Sequence, residues 1–325
     1  MASRRALLRA GAAAFLAPRF ALAQTARKAV VVLFAGEEED DGPASLPYFE
    51  EMRRAGWVEG TNVDYERVYG RGTREYMEGL ARSAAGRAPD LIYATTAALA
   101  IAVSKETDSI PMVFTVASDP VASGLAASME RPGRNATGVF QPAGDGVPRR
   151  LEIAQQAMPG LKRIGVLIDR RSTEYQRQRT LHEDAARPLG LSIATAEFTN
   201  FEAVAKLLAN FRRDGTSTAV LTPSVTLFGR RREVAETALR NRIALVGHRL
   251  EWAEAGAFVS YGPDVVDSLR RSARISARLL KGAAAAETPV EVARRLELVI
   301  NQRSARTLGL ALPQELVKRA DRVID

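Results

Sequence analysis

Two apolar runs in the first half of the chain, 91–94 and 111–116, have the length and composition of short buried strands. Each is followed by a segment whose apolar residues recur at helical spacing, 97–104 and 121–129. Strands that are apolar on both faces and alternate with helices are typical of a parallel sheet covered on both sides. The pattern therefore predicts an α/β fold in this part of the chain.

Small polar residues stand where these two strands end. Thr95 and Thr96 follow the first strand, and Ser118 and Asp119 follow the second. Open α/β sheets bind ligands at the carboxyl ends of their strands, where helix N–H groups suit an anion and a carboxylate suits a cation. Thr95, Thr96 and Asp119 could instead act as plain helix caps, so both roles stay open. The pairing suggests a zwitterion or another small polar solute as ligand.

The same alternation continues through two successive units. A first unit of five strand-like segments ends near residue 140, and a second unit begins after residue 160. We predict two doubly wound lobes, each with a parallel sheet. A long amphipathic helix, 264–281, and a strand-like segment, 289–300, follow the second unit. Their presence suggests that the chain returns to the first lobe and then leaves it again.

Three connections are expected to form one hinge between the lobes. They are 140–146, 261–263 and 286–290, and each contains or adjoins Gly or Pro. The predicted division is residues 1–23 as an export segment, 27–140 with 263–285 as lobe 1, and 141–262 with 286–325 as lobe 2.

The N-terminal residues have the pattern of an export signal. Arg4 and Arg5 fit a twin-arginine motif, an apolar run follows at 10–17, and 21–23 forms an A-x-A cleavage site. The apolar run is far shorter than the roughly 20 residues that span a bilayer. We therefore expect cleavage near Ala23, a periplasmic mature chain and no membrane insertion.

Composition and charge narrow the class of protein further. The 325 residues are 46% hydrophobic and 26% charged, which is typical of a globular chain. The formal net charge of +8 falls to +4 without the four arginines of segment 1–23. The remaining arginines are scattered, so we expect no nucleic-acid partner. The absence of cysteine excludes disulfides and zinc–thiolate sites.

Enzyme signatures are missing from the sequence. His182 and His248 are the only histidines, neither stands at a metal-binding spacing, and no nucleophile elbow or phosphate-binding loop is present. The acidic run 37–41 could hold a cation, but adjacent charges on a loop are usually solvated. We expect no enzymatic activity, no cofactor and no metal site.

Lobe 2 offers a second set of polar residues for the opposite wall of a ligand site. Four of them follow predicted strands: Asp169, Ser224, Thr226 and His248. Tyr261 and Asp264 lie at a predicted crossover, where they could contact both ligand and hinge. Asp264 could also serve simply as the cap of the helix that follows it.

Several segments together resemble the periplasmic substrate-binding proteins of ABC transporters of the tryptophan/tyrosine type. The matching segments are 56–60 (GWVEG), 118–121 (SDPV), 131–138 (RPGRNATG), 261–264 (YGPD), 297–301 (ELVIN) and 308–313 (LGLALP). The resemblance implies a periplasmic binding protein type I fold with a ligand cleft between two lobes. It also implies delivery of the ligand to a membrane permease with a cytoplasmic ATPase.

We therefore expect a monomeric, exported solute-binding component of an ABC importer. Its ligand would be a small polar molecule such as an amino acid or a related carboxylate. A periplasmic sensor that reports its ligand to a signalling receptor would use the same fold, so the sequence leaves that alternative open.

Overall fold

The computed structural model describes residues 27–70, 74–142, 146–172 and 174–325, and the predicted export segment 1–23 lies outside them. The strands are β1 Lys28–Phe34, β2 Val63–Tyr69, β3 Leu91–Ala94, β4 Met112–Val116, β5 Ala136–Phe140, β6 Arg163–Asp169, β7 Ser192–Phe198, β8 Thr218–Leu221, β9 Ala244–Gly247, β10 Val259–Pro263, β11 Glu291–Val292, β12 Leu296–Asn301 and β13 Arg322–Ile324. The helices are α1 Glu38–Ala44, α2 Leu46–Arg54, α3 Arg74–Gly86, α4 Ala97–Glu106, α5 Val147–Ala157, α6 Tyr175–Ala186, α7 Glu202–Arg213, α8 Val225–Phe228, α9 Arg231–Arg240, α10 Leu250–Ala255, α11 Val265–Leu280, α12 Gln302–Leu308 and α13 Gln314–Lys318.

The strands form two sheets, one in each lobe. The first has the order β11-β5-β4-β3-β1-β2 and is parallel throughout. The second has the order β13-β12-β10-β9-β8-β6-β7, and its β10–β12 pair is antiparallel. The predicted fold of two doubly wound parallel-sheet lobes is confirmed.

Each sheet has an apolar layer on both faces. In β1, Val30 and Val32 belong to one buried cluster and Val31 and Leu33 to another, as alternation along a strand requires. Neighbouring residues of β8 divide between two clusters in lobe 2 in the same way. Burial on both faces explains why these strands are almost continuously apolar in the sequence.

Helix α11 returns the chain to lobe 1. Its predicted apolar stripe, which includes Val265, Leu269 and Leu280, is buried. Small serines on the same helix allow close packing: Ser276 accepts a hydrogen bond from the Tyr48 hydroxyl at 2.9 Å, and Ser272 contacts Thr115 at 2.7 Å. The helix therefore covers one face of the first sheet, as the predicted return of the chain requires.

The third connection between the lobes lies later than predicted. Glu291 and Val292 pair in parallel with Val139 and Phe140, so they extend the first sheet. The chain crosses to the second sheet at 293–295, and the expected crossover at 286–290 is wrong. A strand of two residues is too short to show a period in the sequence. We propose that the lobe boundary after α11 lies at this crossing and that the other two boundaries stand.

The helix predicted over 121–129 is also wrong, because this segment is a series of turns. Gly124 has a φ of +75°, which interrupts a helical path. The N–H groups of Leu125 and Ala126 both donate to the Pro120 carbonyl, at 2.9 and 3.1 Å. The segment thus folds back on the end of β4 without forming a helix.

Within the described ranges, no helix combines the length and the apolar character needed to cross a membrane.

Gly138 of β5 provides a test of the first sheet. A Cβ atom there would lie 2.0 Å from the carbonyl oxygen of Phe114, its partner in β4. Gly138→Ala should lower the free energy of unfolding in urea by about 3 kcal/mol, because the backbone must shift. Gly79→Ala in α3 meets no atom within 4 Å and should instead add about 0.5 to 1 kcal/mol. Equal urea midpoints for Gly138→Ala and the wild type would contradict this packing.

Candidate functional site

A cavity of about 330 Å³ lies between the lobes, and the carboxyl ends of strands from both sheets open onto it. Lobe 1 contributes residues after β3 and β4, and lobe 2 contributes residues after β6, β8 and β9. Seven of the ten predicted residues line it: Thr95, Thr96, Ser118, Asp169, Ser224, Thr226 and His248. Strand ends from the two lobes therefore face one another across this cavity.

Asp119 does not line the cavity. Its Oδ1 accepts hydrogen bonds from the N–H groups of Val121 and Ala122, at 2.8 and 3.2 Å. The carboxylate therefore stabilises the turn after β4, which is the capping alternative.

Tyr261 and Asp264 also lie away from the cavity. The Tyr261 ring packs on the apolar core of lobe 2, and its carbonyl accepts from Arg150 Nη1 at 2.9 Å. Asp264 caps α11 through a 2.9 Å hydrogen bond from the Asp267 N–H, and Arg295 lies 3.5 Å away. These residues hold the β10–α11 crossing and do not form the wall of the cavity.

The threonines on the lobe 1 wall use their hydroxyls within the protein. Thr95 Oγ1 donates to the Leu33 carbonyl at 2.9 Å, and Thr96 Oγ1 caps α4 by accepting from the Leu99 N–H at 3.4 Å. The N–H groups of Ala97 and Ala98 lie in the first turn of α4, where no helical carbonyl is available to them. Both residues line the cavity, so this wall presents the positive end of a helix.

Asp169 supplies a buried carboxylate on the lobe 2 wall. Its Oδ2 accepts from Ser224 Oγ at 3.0 Å and from Thr226 Oγ1 at 3.4 Å. Its Oδ1 accepts from the Arg171 N–H at 2.9 Å, while the Arg171 guanidinium lies 3.9 Å away. Ser224 and Thr226 therefore orient the acid, a role that the sequence did not assign to them.

His248 is buried on the same wall. Its Nδ1 lies 3.3 Å from the Leu221 carbonyl, which can only accept, so Nδ1 carries the proton. Burial lowers the pKa of His248 well below its usual value, and the cations Arg150 and Arg249 act in the same direction. The ring is therefore neutral at physiological pH.

Arg249 and Phe228 line the cavity but were missed by the sequence analysis. Arg249 Nε donates to Glu251 at 2.9 Å, and its guanidinium lies 4.4 Å from the centre of the Phe228 ring. Burial alone would raise the pKa of Glu251, but Arg249 outweighs it and the pKa is lowered. An arginine directly after His248 was the available signal, since it also follows β9.

The acidic run is only in part the solvated loop expected from the sequence, since Glu37 and Glu38 are exposed but Asp41 is buried. It enters helix α1, and the Asp41 side chain is buried against Arg231 of α9, with Oδ1 and Nη2 2.7 Å apart. Burial raises the pKa of Asp41, while Arg231 and the Gly36 N–H oppose that rise. This ion pair joins the two lobes beside the cavity.

Comparisons with known proteins agree with this architecture. A family model described as ABC transporter substrate binding protein matches residues 49–324. A "Tyrosine-binding protein" of Clostridioides difficile (strain R20291) is 21% identical over 268 residues, covering 82% of this chain and 76% of that protein.

Solved structures share the fold. A conserved domain protein of Vibrio cholerae is 24% identical, with a TM-score of 0.81 over 92% of this chain and 99% of its own. An ABC domain from Streptococcus pneumonia in complex with L-Trp is 20% identical, with a TM-score of 0.80 over 92% and 100%. Both show the periplasmic binding protein type I fold.

The neutral His248 predicts a pH dependence of stability. In the unfolded chain His248 binds a proton as the pH falls below about 6.5, whereas in the folded protein it does not. The free energy of unfolding therefore decreases below that pH, by about 1.4 kcal/mol per pH unit for this one histidine. His248→Gln should remove this part of the slope in urea titrations between pH 7 and 5.5. Burial lowers the pKa of His182 to about 4 in the same way, so His182→Gln should remove a second, similar part of the slope and the double variant should remove both. Parallel pH profiles for wild type and His248→Gln would contradict the assignment.

Proposed function

The chain belongs to the family of ABC transporter substrate-binding proteins, and we propose that it delivers an amino acid or related carboxylate to a membrane permease with a cytoplasmic ATPase. Family membership makes it a binding protein and not an enzyme. The observation that carries the proposed ligand class is the charge arrangement of the cavity. The start of a helix lies on the lobe 1 wall and a buried carboxylate lies on the lobe 2 wall.

The ligand carboxylate is assigned to the lobe 1 wall. Ala97 and Ala98 offer two backbone N–H donors at the start of α4, a helix of ten residues. The positive end of the helix dipole favours an anion there. Arg249 lines the same cavity from the opposite lobe, with Glu251 as its partner.

The ligand amine is assigned to Asp169 of lobe 2. The Asp169 side chain is only 10% exposed, and the hydroxyls of Ser224 and Thr226 hold it in place. An ammonium group in a buried position needs such a carboxylate as a partner. A zwitterion would therefore contact both walls at once, which favours closure of the lobes as a population shift.

The rest of the ligand is expected to be apolar. Met77, Ile101 and Phe228 line the cavity together with several alanines. The tyrosine-binding relative and the L-Trp complex support an aromatic amino acid among the candidates.

Export to the periplasm is part of the same proposal. Arg4, Arg5 and the A-x-A site ending at Ala23 support a twin-arginine signal cleaved before transport begins. A substrate-binding protein must meet its permease outside the cytoplasmic membrane, and we expect it to do so as a monomer.

Asp169 tests the assignment of the amine. Asp169→Asn should weaken binding of an aromatic amino acid in calorimetry by about 30-fold or more, because a buried ammonium loses its charged partner. Binding of the deaminated analogue, such as 3-phenylpropionate for phenylalanine, should change far less. Asp184→Asn, at an acid whose side chain is 56% exposed on lobe 2, is the control. Equal losses for the amino acid and its analogue would show that Asp169 does not bind the amine.

Uptake by whole cells tests delivery to a permease. Cells without the gene should lose high-affinity uptake of the radiolabelled ligand that calorimetry identifies. The wild-type gene should restore uptake, and Asp169→Asn should not do so at low ligand concentration. Unchanged uptake in the deletion strain would exclude the transport role.

A further inference from the structure

The ion pair between Asp41 and Arg231 crosses from one lobe to the other. Asp41 lies in α1 after β1 of the first sheet, and Arg231 begins α9 in the second lobe. The two side chains are 9% and 3% exposed, and Oδ1 lies 2.7 Å from Nη2. Because lobe separation would return both groups to water, this contact belongs to the closed arrangement.

Each lobe holds its own partner of the pair in place. The second Asp41 oxygen, Oδ2, accepts from the Gly36 N–H at 2.7 Å. Arg231 Nη1 donates to the Phe228 carbonyl at 3.1 Å. Glycine at position 36 is part of the fit, since a Cβ there would lie 3.0 Å from Arg231 Nη1. The two charged groups are therefore set in position before the lobes meet.

Arg231 also connects the pair to the ligand cavity. Its guanidinium lies 4.6 Å from the centre of the Phe228 ring, and Phe228 lines the cavity. The hydrogen bond from Arg231 to the Phe228 carbonyl and this ring contact both fix the position of Phe228. A change at the ion pair would therefore reach the cavity wall without any direct contact with ligand.

We propose that Asp41 and Arg231 form an interlobe latch that the closed form requires and that positions Phe228 at the cavity wall. The inference rests on the proposed function only in that closure serves ligand binding. Burying two charges costs free energy because both lose contact with water, and their mutual attraction offsets that cost only when both are present. Removal of one partner leaves an uncompensated buried charge. Loss of one partner therefore disfavours closure, because opening hydrates the remaining charge.

The lobe separation of the ligand-free protein tests the latch. The chain has no cysteine, so Ala122→Cys in lobe 1 and Thr199→Cys in lobe 2, both exposed, allow specific spin labelling. Distances between the labels then report open and closed populations. Asp41→Asn and Arg231→Gln should each shift the closed-to-open ratio toward open by about tenfold or more. The double variant should recover much of the closed population, since two amides can pair without a buried charge.

Asp90→Asn is the matched control. Asp90 accepts from the Ala29 N–H at 2.8 Å and from Lys28 Nζ at 2.7 Å, so it has the same kinds of partner as Asp41 but within one lobe. The variant should leave the distances unchanged. If Asp41→Asn fails to fold, Arg231→Gln tests the contact from the other lobe.

Three results would overturn the latch. The first is a wild-type protein that shows no closed population. The second is wild-type distances in both single variants. The third is a double variant whose closed population is no larger than that of the single variants. None of these measurements needs the ligand, so failure to bind any amino acid would refute the proposed function and leave the latch intact. Conversely, a refuted latch would leave the ligand assignment intact. Where both hold, Asp41→Asn should weaken ligand affinity by the factor by which the closed fraction falls.

Discussion

The parallel direction of the strands is the constraint on which the site depends. A parallel sheet places all its carboxyl ends at one edge, and here the three chain crossings turn that edge of each lobe toward the other. Helix starts and strand-end loops from two separate cores thereby meet across one cavity. The polar groups that line the cavity come from these helix starts and loops. The two cores can therefore remain apolar on both faces of each sheet.

Paired charges decide how the two edges fit together. The half-buried Arg249 pairs with the buried Glu251 within lobe 2, and Arg231 with Asp41 is buried between the lobes. Burial makes each charge costly unless its partner is present, so such pairs define one arrangement more strictly than apolar contact would. The cavity wall at Phe228 lies between these two arginines, which links lobe closure to the shape of the site.

Local pattern was sufficient for most of the fold and for part of the site. Strand ends identified Thr96 and Asp169, because the position after a buried strand can be recognised in the sequence. The pairing of Asp41 with Arg231 joins residues 190 positions apart, and nothing local distinguishes Asp41 from its acidic neighbours. Asp119 was predicted as a ligand-binding residue because it follows a strand, but its carboxylate instead accepts a hydrogen bond within the turn that it begins. Long-range packing decides both cases.

The most direct test of a zwitterion bound between the lobes is a crystal structure of natively purified protein with its co-purified ligand. We expect a ligand carboxylate within hydrogen-bonding distance of the Ala97 and Ala98 N–H groups. We also expect an ammonium group on Asp169, with the Asp41–Arg231 pair intact. A ligand without a carboxylate, or one bound outside the cavity, would refute a zwitterion held between the lobes.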